Sequence, residues 1–150
     1  MADTLFAARD LEFIQQQRAG RLATSDADGH PTAVPVCYVF DGERFLIALD
    51  EKPKSVDVSR LKRVRNIEAR HEASLLIDRY DDDWSRLAFV LIYGKAKLIS
   101  PDHTWHKSAL PALRARYVQY QTMALEKLPM IVIMPERVSS WYASDSQPAG

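Results

Sequence analysis

Two dipeptides, Asp28-Gly29 and Asp41-Gly42, do most to limit how this chain can fold. Each sits between runs that read as strands: Arg21 to Ser25 (RLATS), Thr32 to Phe40 (TAVPVCYVF) and Arg44 to Leu49 (RFLIAL). Asp-Gly is a strong tight-hairpin signal, and tight hairpins join antiparallel neighbours. Parallel neighbours need a crossover of a dozen or more residues, and none fits here. The chain therefore opens as a β-meander, which disfavours a doubly wound parallel sheet. Pro35 interrupts the second strand and favours an edge, a bulge or a ligand in place of a ladder bond.

The remaining pattern extends this reading. Thr4 is a candidate cap for a first helix, with Phe6, Leu11 and Ile14 at helical spacing and Gly20 as its stop. Leu61, Val64 and Ile67 give one apolar face to a helix beginning near Ser59. Ala73 to Asp78 is a fourth strand and Tyr80 to Arg86 a polar loop. Leu87 to Ile99 is a long fifth strand, with Gly94 as a bulge or bend. A helical segment follows from Ser100 to about Gln121, and Pro111 is expected to restart it at a first-turn position. Met130 to Met134 and Val138 to Ala143 read as the last strands, and 144–150 as a flexible tail. Six or seven antiparallel strands with short helices point to a mainly β fold, a barrel with helical excursions.

A length of 150 residues suits one domain spanning 1–150. Lys and Arg balance Asp and Glu at formal zero charge, which argues against long nucleic acids as partners. The single cysteine, Cys37, cannot form an internal disulfide and suits a reducing, cytoplasmic setting. The N-terminus lacks the pattern of a signal peptide, and no apolar run approaches the ~20 residues of a membrane span.

Against that neutral background, Lys52 to Arg65 holds six cations (Lys52, Lys54, Arg60, Lys62, Arg63, Arg65) and one acid, Asp57. A solvated helix face is the plain explanation of such a run. Its position after the meander, with Pro53 stiffening a turn and Ser55 offering a hydroxyl, suits the phosphate of a small ligand instead. It has no Gly-rich cradle and is not a P-loop.

Other candidates carry less. His103 and His106 lack a metal motif, and Asp81, Asp82 and Asp83 lack the spacing of a Ca²⁺ loop. Cys37 lies in an apolar strand and reads as an inert thiol, and no serine sits in GxSxG. Trp84 stands out because its ring lies in a polar loop. Without a nucleophile or an acid–base pair, any catalysis here rests on a bound cofactor.

The order of RLATSDADGHP from Arg21, VPVCYV from Val34, KPKS from Lys52, RNI from Arg65, ASLLID from Ala73 and DDDW from Asp81 resembles one group. That group is the pyridoxamine 5′-phosphate oxidase-like split-barrel superfamily, in particular its branch of deazaflavin (coenzyme F420)-dependent reductases. The resemblance runs from about Phe13 to Trp141. It implies a six-stranded antiparallel split β-barrel (the FMN-binding split barrel), acting as a homodimer with cofactor sites at the subunit interface. It places the cofactor ring along Pro35, Val36 and Cys37 and the phosphate at Lys52, Lys54 and Ser55. Arg60, Lys62, Arg63 and Asn66 are further phosphate candidates, and Trp84 would approach the ring or tail. The implied activity is hydride transfer between F420 and a small conjugated substrate, with no catalytic side chain and no metal. FMN is the alternative cofactor. A non-enzymatic cofactor or haem carrier is a third reading, with His30, His71, His103 and His106 as its possible ligands. The substrate-phosphate residues of true pyridoxamine-phosphate oxidases are missing, which disfavours oxidation of a vitamin B6 phosphate.

Overall fold

The two expected hairpins are present, but they do not join into one meander: the run Thr32 to Phe40 divides after Val36, and its second part crosses to the far edge of the sheet. The computed structural model describes residues 5–50 and 57–146. Strands β1 (Gly20–Ser25) and β2 (Pro31–Val36) pair antiparallel, from Gly20 opposite Val36 to Ser25 opposite Pro31. Gly29, at φ 87°, and Gly42, at φ 100°, supply the left-handed backbone that the two turns require. After Val36 the chain leaves the ladder. It resumes as β3 (Val39–Phe40), which pairs with β4 (Phe45–Ala48).

Three longer strands complete the sheet, β5 (Glu72–Arg79), β6 (Ala88–Ile99) and β7 (Met130–Tyr142), with helix α2 (Lys62–Arg70) leading into β5. The strand order is β2-β1-β5-β6-β7-β4-β3, seven strands in one antiparallel sheet. β2 and β3, neighbours in sequence, thus occupy opposite edges of the curled sheet, and the opening of the split barrel lies between them. Pro35 sits on an edge strand, one of the three placements its sequence position suggested.

Two apolar clusters hold this arrangement. The first fills the barrel with Phe13, Ile14, Leu22, Phe45, Ile47 and Leu75, among others. The second lies between β4, β7 and a helical excursion, and includes Leu46, Leu113, Tyr120 and Val132. β4 feeds both clusters with alternate residues, so all four of its residues are buried and it reads as an unbroken apolar run.

The excursion comprises α3 (Thr104–Arg116) and 3-10 turns at Val118–Thr122 and Leu125–Lys127. It leaves after Ile99 and returns at Met130, and these two residues are cross-strand partners.

Three other sequence expectations change. Pro111 does not restart a helix; α3 runs continuously through it, with the ring on the exposed face. Pro135 does not divide two strands; β7 is unbroken and absorbs it at a bulge, where Gly94 pairs with Pro135 and Tyr93 with Arg137. Helix α1 (Ala8–Gln16) begins at Ala8, where the Asp10 carboxylate accepts the Ala7 N–H at 3.0 Å; Thr4 lies outside the described residues. Asp10 also accepts from the Tyr142 hydroxyl at 2.8 Å, which ties α1 to the end of β7. Beyond β7, Asp145 pairs with Arg9 of α1 at 2.7 Å.

Candidate functional site

Of the expected phosphate residues, Lys52, Lys54 and Ser55 lie outside the described residues. The described candidates divide between the two ends of the β1–β2 hairpin. Asn66 is buried, and its amide donates to the Thr24 hydroxyl on β1 at 3.0 Å. Lys62, the first residue of α2, reaches Asp26 in the hairpin turn at 3.3 Å. Arg70, the last residue of α2, donates to the Asp26 and Ala27 carbonyls at 2.7 and 3.0 Å. Both ends of α2 are therefore fastened to one turn.

Asp26 organises that turn. Its carboxylate accepts the backbone N–H groups of Asp28 and His30 at 2.9 Å each. The His30 amide bond, with help from Lys62, holds this carboxyl well below the usual carboxylate range. Asp26, Asp28 and His30 lie close enough together to interest a cation. However, Asp26 already accepts from two amides and from Lys62, which accounts for its charge.

Arg60 is exposed in the 3-10 turn Val58–Arg60, which Asp57 caps by accepting from the Ser59 N–H at 3.0 Å and its hydroxyl at 2.9 Å. Arg63, one turn earlier on α2 than Asn66's neighbour Ile67, is half-buried. The cations at the start of α2 thus stand on a platform whose orientation the hairpin fixes.

The ring candidates mark the other end of β2, about 13 Å from Thr32 by strand rise. Pro35 is exposed, Val36 turns into the barrel, and Cys37 turns toward the excursion. There Cys37 lies beside the Tyr120 phenol, which donates to Asp50 at 2.6 Å. Burial pushes the Cys37 thiol up, as it does the Tyr120 hydroxyl, whose bond to Asp50 adds to the effect. Cys37 is accordingly a poor nucleophile, in line with its sequence reading. A cavity of about 530 Å³ opens at this point, lined by Cys37, Asp50, Tyr120 and Met123, with Arg18 at its edge.

Trp84 is 68% exposed in the 3-10 turn between β5 and β6. Two of the three aspartates beside it serve the loop: Asp83 accepts from the Ser85 N–H at 3.1 Å, and Asp81 pairs with Arg86 at 3.0 Å. Tyr80, 69% exposed, and Trp141, 40% exposed, form a separate apolar patch. A shallow cavity of about 470 Å³ between Leu76, Phe89, Leu91 and Trp141 continues this apolar patch.

The histidines serve the fold. His103 caps α3 by accepting the Trp105 N–H at 3.0 Å, and buried His106 is bonded to the Leu128 carbonyl at 2.8 Å. His71, at φ 57°, closes α2.

A sequence profile described as pyridoxamine 5′-phosphate oxidase matches residues 7–142. The chain belongs to the pyridoxamine 5′-phosphate oxidase family. Within reach of this family, a 5a,11a-dehydrotetracycline/5a,11a-dehydrooxytetracycline reductase from Streptomyces rimosus subsp. rimosus is 28% identical over 95 residues. That match covers 63% of this chain and 64% of the relative, so the chain spans less than two thirds of the curated relative it matches. HutZ, the haem storage protein of Vibrio cholerae, superposes with a TM-score of 0.67 at 16% identity, covering 88% of this chain and 90% of its own. An F420 reductase superposes with a TM-score of 0.60 at 18% identity, covering 85% and 94%. These two likenesses establish the split-barrel fold for this family member.

Sequence reasoning passed over Asp26, Arg70, Asp50, Tyr120 and Arg18. Tyr117 and Tyr120 carried a usable signal, since two phenols three apart near a helix end share a face. Asp26 and Arg70 carried none, because they meet only once α2 lies across the hairpin.

Proposed function

We propose that this chain is a deazaflavin (coenzyme F420)-dependent oxidoreductase transferring a hydride between the cofactor and a small conjugated substrate. The observation that carries the reading is the cationic α2 platform, locked at both ends to the β1–β2 hairpin whose far end opens on the Cys37–Tyr120 cavity. An elongated cofactor with an anionic tail fits that division: cations at one end, an apolar wall at the other. The reductase activity of the Streptomyces relative and the F420 reductase fold support the same reading.

The donor set is consistent with a phosphate. Lys52, Lys54, Ser55 and Arg60 would hold it, with Arg63 nearby. Lys62 and Asn66 would act indirectly, since their side chains already hold Asp26 and Thr24. Pro35, Val36 and Cys37 would border the ring. When bound, the deazaflavin supplies the hydride-carrying centre. The chain's part is to neutralise the tail, fix the ring and keep water from it. A homodimer with two interface sites would cover the Leu76, Phe89, Leu91 and Trp141 patch and bring Trp84 toward a neighbouring subunit's cofactor.

Purified protein titrated with F420, followed by fluorescence, is expected to bind in the micromolar range or tighter, and more tightly than it binds FMN. Binding of FMN alone would transfer the reading to a flavin enzyme. A Soret band on haem addition, with no response to F420, would transfer it to a haem protein. Lys54→Ala and Arg60→Ala should each weaken F420 binding by roughly 10- to 100-fold with little change in melting temperature. A fall in melting temperature at constant affinity would remove those residues from the site. Leu91→Glu should shift the elution volume in size-exclusion chromatography to that of a monomer. An unchanged elution volume would place the subunit contact elsewhere.

A further inference from the structure

The Cys37–Tyr120 cavity has a larger neighbour. A groove of about 750 Å³ runs between α1, β3 and α3, walled by Leu11, Ile14, Phe40, Ala112 and Ala115. Among the described residues, Arg18 alone lines both spaces. The two lie on either side of a junction formed by Tyr38 and Tyr117.

Two arginines stand at this junction, and their hydrogen bonds differ. Arg116 is spent on the protein: it donates to the Tyr117 hydroxyl at 3.0 Å, to the Gln15 carbonyl at 2.9 Å and to the Gln17 carbonyl. Arg18 is exposed, stacks over the Tyr117 ring at 4.9 Å and gives one N–H to the Arg116 carbonyl. An exposed guanidinium held over a phenol ring, with only one of its five N–H donors given to the Arg116 carbonyl, suits an oxyanion. The smaller cavity is also lined by Asp50, whose carboxylate disfavours an anionic group beside it and favours a hydroxyl or N–H donor.

We propose that the two cavities form one elongated site for a small aromatic organic anion. Its apolar body lies in the α1–α3 groove, its carboxylate, sulfonate or acidic enol rests on Arg18, and a donor group points toward Asp50 and Tyr120. That this anion is the substrate of the hydride transfer rests on the reductase reading above, because Cys37 borders both the smaller cavity and the expected ring position. The binding itself does not depend on that reading.

The test uses the full chain without cofactor and two fluorescent probes that differ in one charge. These are 8-anilinonaphthalene-1-sulfonate and its neutral counterpart N-phenyl-1-naphthylamine. The wild type should bind the sulfonate more tightly than the neutral probe. Arg18→Met should raise the dissociation constant of the sulfonate by about tenfold or more and leave the neutral probe unchanged. Arg18→Lys, which keeps the charge and loses the fork, should fall between them. Ala115→Trp, filling the groove, should weaken both probes. The proposal is overturned if Arg18→Met leaves sulfonate binding intact, or if both probes weaken equally while circular dichroism is unchanged. It is also overturned if Ala115→Trp has no effect. Should Arg18→Met fail to fold, equal affinity of the wild type for the two probes overturns it. No arm contains F420, so a failed F420 titration and a failed probe experiment are separate results.

Discussion

Gly94→Val is expected to leave little or no folded protein. A Cβ placed on Gly94 would lie 2.3 Å from the Met134 carbonyl oxygen and 2.9 Å from its carbon, both main-chain atoms of the neighbouring strand. Backbone on the adjoining strand cannot swing aside as a side chain can. The bulge at Tyr93 and Gly94, which also absorbs Pro135, would have to be rebuilt. The cost should be at least about 3 kcal/mol, a large share of the 5–15 kcal/mol typical of a small protein. Urea denaturation followed by circular dichroism measures it; Gly94→Ala should already lower the midpoint markedly, and an unchanged midpoint for that variant refutes the argument. Gly29→Ala provides the contrast. Nothing lies within 4 Å of its added Cβ, and only the positive φ penalises it, so about 1 kcal/mol is expected.

Tyr117→Phe should cost about 2–4 kcal/mol although it removes a single oxygen. Where the chain leaves the sheet between β2 and β3, the Tyr38 peptide groups have no ladder partner, and the Tyr117 hydroxyl replaces one. It accepts the Tyr38 N–H at 3.1 Å and is placed to donate to the Tyr38 and Arg18 carbonyls at 3.1 and 3.0 Å. It also accepts from Arg116 at 3.0 Å. Phenylalanine fills the same space and leaves a buried N–H and its carbonyl without this partner, which costs more than the net worth of a bond. Thermal unfolding reads the loss directly. A melting temperature within a degree of wild type would mean that water reaches the Tyr38 peptide and that the junction is open.

The parts of the fold that were legible in the sequence are those written in local patterns. The Asp-Gly turns, the apolar face of Leu61, Val64 and Ile67, and the Gly94 bulge all appear where their spacing placed them. Pro111 and Pro135 misled because proline reports only on its own backbone. Whether a helix or strand ends there depends on solvent exposure in one case and on a partner's bulge in the other. The site was less legible for a related reason. Lys62 was singled out by charge and Asn66 by the family resemblance, while their partners Asp26 and Thr24 lie 36 and 42 residues away and become neighbours only through the crossing of α2. The Arg18 junction joins residues about 99 apart.

The stretch between Ile99 and Met130 leaves and re-enters the sheet at two residues that face each other across a ladder. To the barrel it is a hairpin connection, however much structure it contains, because its two ends are held at the spacing of paired strands. The free energy of closing such a connection grows only with the logarithm of its length. The same stretch supplies Ala112, Ala115, Tyr120 and Met123, one wall of each cavity beside Arg18. Exchanging this cassette would therefore change what the cavities accept and leave the α2 platform, which packs on β1 and β6, with its own fastenings intact.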